Sequence, residues 1–237
     1  MRWSVSGRII IGIIALLGLV IGAWYATNYQ PQRVGVIFTL LSLATIVVLF
    51  LERAICSYFG QPYDGGEATL TARSVLVQIV LGLAFGFGIV FLSSRTGLSI
   101  GLPSVQQSIG GMAFTSIIGA PIIEEPFFRF VVPFLLYLIF SKVTGSRWAG
   151  AVISLFASAV LFALYHWAAY GATLLVSGAF VGAGIFATLL LLAQLVWNAG
   201  RFSSKSASVL IIAFVVSHAV FNAYIYARPF FIAGGAA

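Results

Sequence analysis

Apolar residues run in long blocks through most of this 237-residue chain, interrupted by short polar stretches. About 20 apolar residues carry a helix across a bilayer core. That ruler predicts seven spans, at about 9–26, 34–52, 74–94, 113–140, 148–169, 172–197 and 206–227. The breaks hold turn chemistry: "NYQPQR" at 28–33, "GQPYDGGEATLTAR" at 60–73, "RTGLSIGLPSVQQSIGG" at 95–111, "VTGSRWAG" at 143–150 and "RFSSKS" at 201–206. None is long enough for a soluble domain. The expected fold is an all-α, polytopic transmembrane helix bundle of about seven (seven to eight) spans. Residues 1–112 supply three N-terminal spans, 113–227 form a second helical unit, and 228–237 are a short tail.

Composition agrees. The chain is 61% hydrophobic and 7% charged, with a mean hydropathy of +1.11, which excludes a soluble globular protein. The net charge of +7 comes from twelve basic residues against five acidic ones, and the basic residues gather at the ends of apolar runs. That is a topology signal, so no nucleic-acid partner is expected. With seven spans, Arg2, Arg8, Arg53, Arg73, Lys142, Arg147, Arg201 and Lys205 fall on one side, and Arg33, Arg95 and Arg228 on the other. Eight against three predicts a cytoplasmic N terminus in a cell membrane. The first span reads as an anchor rather than a signal peptide, since "GAWYATN" lacks a small-x-small cleavage site. Cys56 is the only cysteine, which excludes an internal disulfide and a thiolate metal cluster.

Charges at membrane depth cost several kcal/mol, so they face the bundle interior and mark function. The groups predicted at depth are Glu124, Glu125, Arg129, His166, His218 and Asn222, which include both histidines of the chain. Glu52 falls at a helix end, and Asp64 and Glu67 in a loop. At 1.5 Å per residue from the basic end of each span, Glu124 lies about 25 Å in, His166 about 27 Å, His218 about 18 Å and Asn222 about 24 Å. Three helices therefore bring polar groups to one layer.

Helical phase sorts these groups further, because residues four apart share a face. Glu125 pairs with Arg129, and His218 with Asn222. Glu124, about 100° around from Glu125, has no basic residue four away on either side. Glu124 is thus the candidate general base, with Glu125 and Arg129 as its brace. Pro121 and Pro126 predict irregular backbone around the pair, tolerated at depth where it is buried or lines a wet cavity. A helix starting near Pro121 would also lend the glutamates its N-terminal dipole.

Plainer readings compete residue by residue. A lone intramembrane histidine or Asn222 is often glue between helices, and Glu125 with Arg129 reads equally as a structural ion pair. Phe127, Phe128, Phe162, Phe214 and Phe221 read as packing, and Tyr165, Trp167 and Tyr170 as an aromatic belt, although Tyr165, beside His166, could still touch substrate. What the plain readings handle poorly is Glu124, unpaired in sequence at the depth of both histidines.

Three motifs stand in order on separate predicted helices. "EEPFFR" fits EExxxR, "FALYH" from Phe162 to His166 fits FxxxH, and "HAVFN" from His218 to Asn222 fits HxxxN. Over about 113–226 the chain resembles the CPBP family of intramembrane proteases, which includes type II CAAX prenyl endopeptidases and Abi proteins. Phe130 departs from the glycine that often follows the motif arginine.

The resemblance implies peptide-bond hydrolysis within the membrane, on a membrane-embedded or lipidated substrate such as a prenylated CAAX-type protein. It implies Glu124 activating water with help from His166, His218 and Asn222 stabilising the oxyanion or completing the site, and Glu125, Arg129 and Phe162 in support. Glu124, His166 and His218 also form a zinc-type ligand set with an open position. No HExxH is present, and a metal-free glutamate-water route uses the same residues. The alternatives are a proton-coupled membrane transporter, whose expected paired halves with broken helices are not found, and a non-catalytic relative in immunity or scaffolding.

Overall fold

The computed structural model describes residues 7–28, 32–61, 63, 71–95, 114–170, 188–193 and 202–234. Among them all regular secondary structure is helical. Among the described residues six helices are long and apolar enough to cross a membrane. They are α1 (Gly7–Asn28), α2 (Gln32–Tyr58), α3 (Ala72–Arg95), α4 (Thr115–Thr144), α5 (Arg147–Tyr170) and α6 (Ser204–Gly234). Six of the seven predicted spans are thereby found. The span predicted at 172–197 lies largely outside the described residues, of which 188–193 are helical.

Local chemistry sets several boundaries. Thr71 and Ser74 cap α3 reciprocally, each backbone N–H donating to the other's hydroxyl at 2.9 and 3.2 Å. Gly145 ends α4 in the left-handed region, at φ 65°, as a helix C-terminus favours. The Ser146 hydroxyl then accepts from Ala149 N–H to open α5, so α4 and α5 form a tight hairpin.

α1 packs on α2, α3 on α6, and α4 on α5. α3 lies close to α6 because Gly82 and Gly86 face it. A Cβ at Gly82 would stand 2.6 Å from the Ala213 carbonyl oxygen, and one at Gly86 2.6 Å from Val220 Cβ. This small-xxx-small contact brackets His218 on α6. Gln78 adds a polar tie, its Oε1 accepting from Ile212 N–H at 3.1 Å. Within α4, Phe130 is fully buried and stacks on Phe134, so the departure from glycine is absorbed by the core.

The bundle has a polar clamp at its basic end. Glu52 is fully buried. It accepts from Ser204 N–H at 2.8 Å and from Ser204 Oγ at 2.6 Å, and it lies 3.6 Å from Arg8 Nε. Arg8 also donates to the Tyr63 hydroxyl at 2.7 Å and to the Leu49 carbonyl. Glu52, read from the sequence as a charge at a helix end, is therefore also a buried N-terminal cap for α6.

This clamp also corrects the predicted depths, which put Asn222 rather than His218 level with the glutamates. Ser204 is pinned to Glu52, about 9 Å inside the end of α2 at 1.5 Å per residue. Lys142 lies over the Phe59 ring, which levels the ends of α2 and α4. From that common plane His218 is about 30 Å deep and Glu125 about 29 Å.

α4 is not uniform. Two π-turns, Thr115–Gly119 and Phe127–Val131, flank the α-helical segment Ala120–Pro126 that carries both glutamates. In the first, Ala120 N–H donates to the Thr115 carbonyl. By the same i to i+5 pattern, the Ser116 carbonyl would look to residue 121, a proline with no N–H. The second turn repeats the situation. Val132 N–H donates to Phe127, and Phe128 would look to Pro133. The irregular backbone expected near Pro121 is thus present, but the helix continues through it, so α4 does not begin at Pro121 and its N-terminus is not at the glutamates.

Candidate active site

Each bypassed carbonyl receives a side chain from another helix. Asn222 Nδ2 on α6 donates to Ser116 at 2.7 Å, and Ser158 Oγ on α5 donates to Phe128 at 2.5 Å. The π-turns therefore place α5 and α6 against the glutamate segment, and the other polar groups follow from that placement.

Glu125 is buried, and both of its carboxylate oxygens are engaged. Oε2 lies 2.9 Å from Arg129 Nε, and Oε1 lies 2.8 Å from His218 Nδ1. The i to i+4 pair read from sequence is present, and His218 extends it across helices. The Arg129 guanidinium sits over the Phe162 ring at 4.6 Å and the Phe214 ring at 5.8 Å. This desolvated cation–π contact holds the planar charge where water cannot.

Glu124, one position away, meets a different group of partners. Its Oε2 is buried with no hydrogen bond and lies 3.4 Å from His166 Nε2. Its Oε1 accepts from the Tyr165 hydroxyl at 3.3 Å. His166 Nδ1 lies 2.8 Å from the Phe162 carbonyl oxygen. A carbonyl only accepts, so Nδ1 carries the proton and Nε2 is directed at Glu124. His218 is anchored the same way, its Nδ1 on a carboxylate.

Of the residues singled out from sequence, Glu124, Glu125, Arg129, Phe162, His166 and His218 form one contiguous cluster. Phe162 contacts both imidazoles, with ring centres 4.3 Å from His166 and 6.1 Å from His218. Asn222 lies one turn beyond His218, on the Ser116 carbonyl. Tyr165 was read as belt and is instead an inward-facing partner of Glu124. Its adjacency to His166 was the one sequence signal of this. The side chains of Trp167 and Tyr170 lie outside the described residues.

Glu124, His166 and His218 each offer a ligand atom, all within 4.8 Å of one another. The donor set fits a divalent ion. Glu124 Oε2 and His166 Nε2 are two acceptors facing each other, which calls for a proton or cation between them. Both histidines are fixed through Nδ1 to a carboxylate or a carbonyl, as metal-bound imidazoles are.

A family model described as type II CAAX prenyl endopeptidase Rce1-like matches residues 106–224, half of the chain. The chain belongs to that family. Its match spans all three motifs and takes in the whole cluster around Glu124 and Glu125. Neither a curated protein nor a solved structure matches the chain significantly. With six apolar spanning helices, this Rce1-like chain is an integral membrane protein of a CAAX-type protease family. Helices α1 to α3 lie outside the match, yet Glu52 on α2 and Gly82 and Gly86 on α3 hold the helix that carries His218.

Proposed function

We propose that this protein is an intramembrane endopeptidase in which Glu124 is the general base. The observation that carries the reading is the unequal treatment of two adjacent buried carboxylates. Glu125 is saturated by Arg129 and His218, while Glu124 keeps one oxygen without a hydrogen bond beside His166 Nε2. A structural ion pair has no use for the second carboxylate, whereas a hydrolase needs a base next to a group that orients water.

Glu124 Oε2 takes a proton from water while His166 Nε2 accepts the other water hydrogen and aims the oxygen. The water oxygen bonds to the scissile carbonyl carbon, and the carbonyl becomes an oxyanion. His218, as an imidazolium with Nδ1–H on Glu125, offers Nε2–H to that oxyanion, with the second Nδ2 proton of Asn222 as a further donor. Before attack Glu124 and Glu125 balance Arg129 and His218 in the apolar interior, and after it the oxyanion carries the negative charge that Glu124 has given up. Glu124 returns its proton to the amine as the C–N bond breaks.

The substrate class that fits is a membrane-embedded or lipidated peptide, for which a prenylated CAAX-type protein is the family's example. Contacts at one end of the bundle gather Arg8 and Lys142 with Glu52, Phe59 and Ser204, supporting that end as the cytoplasmic one. Incubating protein in nanodiscs with a prenylated CAAX peptide tests the reading. Release of the terminal tripeptide, weighed by mass spectrometry, is the expected outcome, and an intact peptide contradicts it.

The ligand set of Glu124, His166 and His218 favours a second version. A zinc ion, when bound there, supplies a Lewis acid that polarises the attacking water. Activity abolished by exhaustive chelation and restored by zinc alone selects that version, and activity that survives chelation selects the metal-free one.

A further inference from the structure

Tyr165 fills a variable position inside FxxxH, which asks nothing of its side chain, and yet it reaches the proposed base. Its ring is set by two others, the Phe128 ring at 5.2 Å on α4 and the His166 ring at 5.2 Å, nearly perpendicular. With the ring fixed, the hydroxyl comes to 3.3 Å from Glu124 Oε1. A glutamate has three rotatable bonds, and its two oxygens are equivalent until something distinguishes them. Among the described residues Tyr165 is the hydrogen-bond donor to Glu124, so it leaves Oε2 as the oxygen turned toward His166 Nε2.

We propose that Tyr165 is a positioning residue for the hydrolytic base, selecting which oxygen of Glu124 meets the water. This rests on the endopeptidase reading above. The phenol reaches no reacting atom in this role. It acts through the carboxylate, as a donor that fixes the general base in the geometry catalysis requires. Because the ring is seated between Phe128 and His166, Tyr165→Phe keeps the packing and removes only the O–H. Tyr165→Leu removes both.

The experiment compares steady-state cleavage of a prenylated CAAX peptide by wild type, Y165F, Y165L and Glu124→Gln in nanodiscs. Y165F is expected to lower kcat by about tenfold to a hundredfold, the worth of a hydrogen bond to a charged group, with KM within about twofold. Introduced into Glu124→Gln, the same change lowers the residual rate no further, because the two residues act as one unit. A purely structural tyrosine predicts the reverse: Y165F like wild type, and Y165L impaired. Wild-type kcat in Y165F, a loss confined to KM, or equal losses with and without Glu124 overturns the proposal while the endopeptidase reading stands. Wild-type rates in Glu124→Gln overturn that reading, and the role of Tyr165 falls with it.

Discussion

His218 Nδ1 lies 2.8 Å from Glu125 Oε1, joining two helices through residues 93 positions apart in sequence, while Arg129 holds the other carboxylate oxygen at 2.9 Å. Glu125 is thereby the hinge pin of the site. It sets the register of α6 against α4 and turns the His218 ring so that Nδ1 is committed and Nε2 is left for chemistry. Neither task needs Glu125 to react, which leaves its neighbour Glu124 for the role of base in the proposed mechanism.

Removing the cation from this arrangement leaves a buried carboxylate uncompensated. Arg129→Ala is expected to destabilise the protein by about 3–5 kcal/mol. Arg129→Lys recovers only part, because an ammonium cannot match the fork that meets Glu125 and lies over Phe162. Unfolding in mixed micelles with increasing SDS reads both variants.

Ser158 offers a second test, remote from the reacting groups. Ser158→Ala strips the Phe128 carbonyl of its donor at a place where Pro133 has no N–H to offer. The expected cost is about 1–3 kcal/mol. In a Pro133→Ala background the restored N–H at residue 133 supplies a donor, and the same serine change costs less. A double-mutant cycle on unfolding midpoints measures the difference.

Glu52 tests whether helices outside the family match matter to the site. Glu52→Ala uncaps α6 and leaves the buried Ser204 N–H and hydroxyl without their acceptor. The expected loss is about 1–3 kcal/mol. Because the cap fixes where α6 begins, cleavage activity falls too, although Glu52 sits at the opposite end of the bundle from Glu124. Peptide cleavage scored alongside unfolding checks this.

Much of the site was legible in the sequence because a bilayer makes charge expensive. Glu124, Glu125, Arg129 and the two histidines stand out in apolar runs for that reason alone, and i to i+4 spacing paired Glu125 with Arg129. Spacing along one helix says nothing about partners on another. The reach of His218 to Glu125 rather than of Asn222 to the glutamate layer depends on where α6 starts, which Glu52 decides. The prolines signalled irregular backbone, but that Asn222 and Ser158 would satisfy the bypassed carbonyls is a property of packed helices. Tyr165 was missed because a tyrosine near a span end reads as belt whichever way its side chain points. The span predicted at 172–197 lies largely beyond the described residues.

The central claim is that Glu124 is the base, and Glu124→Gln tests it most directly, since the amide keeps the shape and loses the ability to take a proton. The measurement is the rate at which purified protein in nanodiscs cleaves a prenylated CAAX peptide, with the product mass recorded and folding confirmed by unfolding midpoint. A folded Glu124→Gln protein is predicted to lose at least about a hundredfold in rate. Cleavage at the wild-type rate by the folded variant would contradict the account.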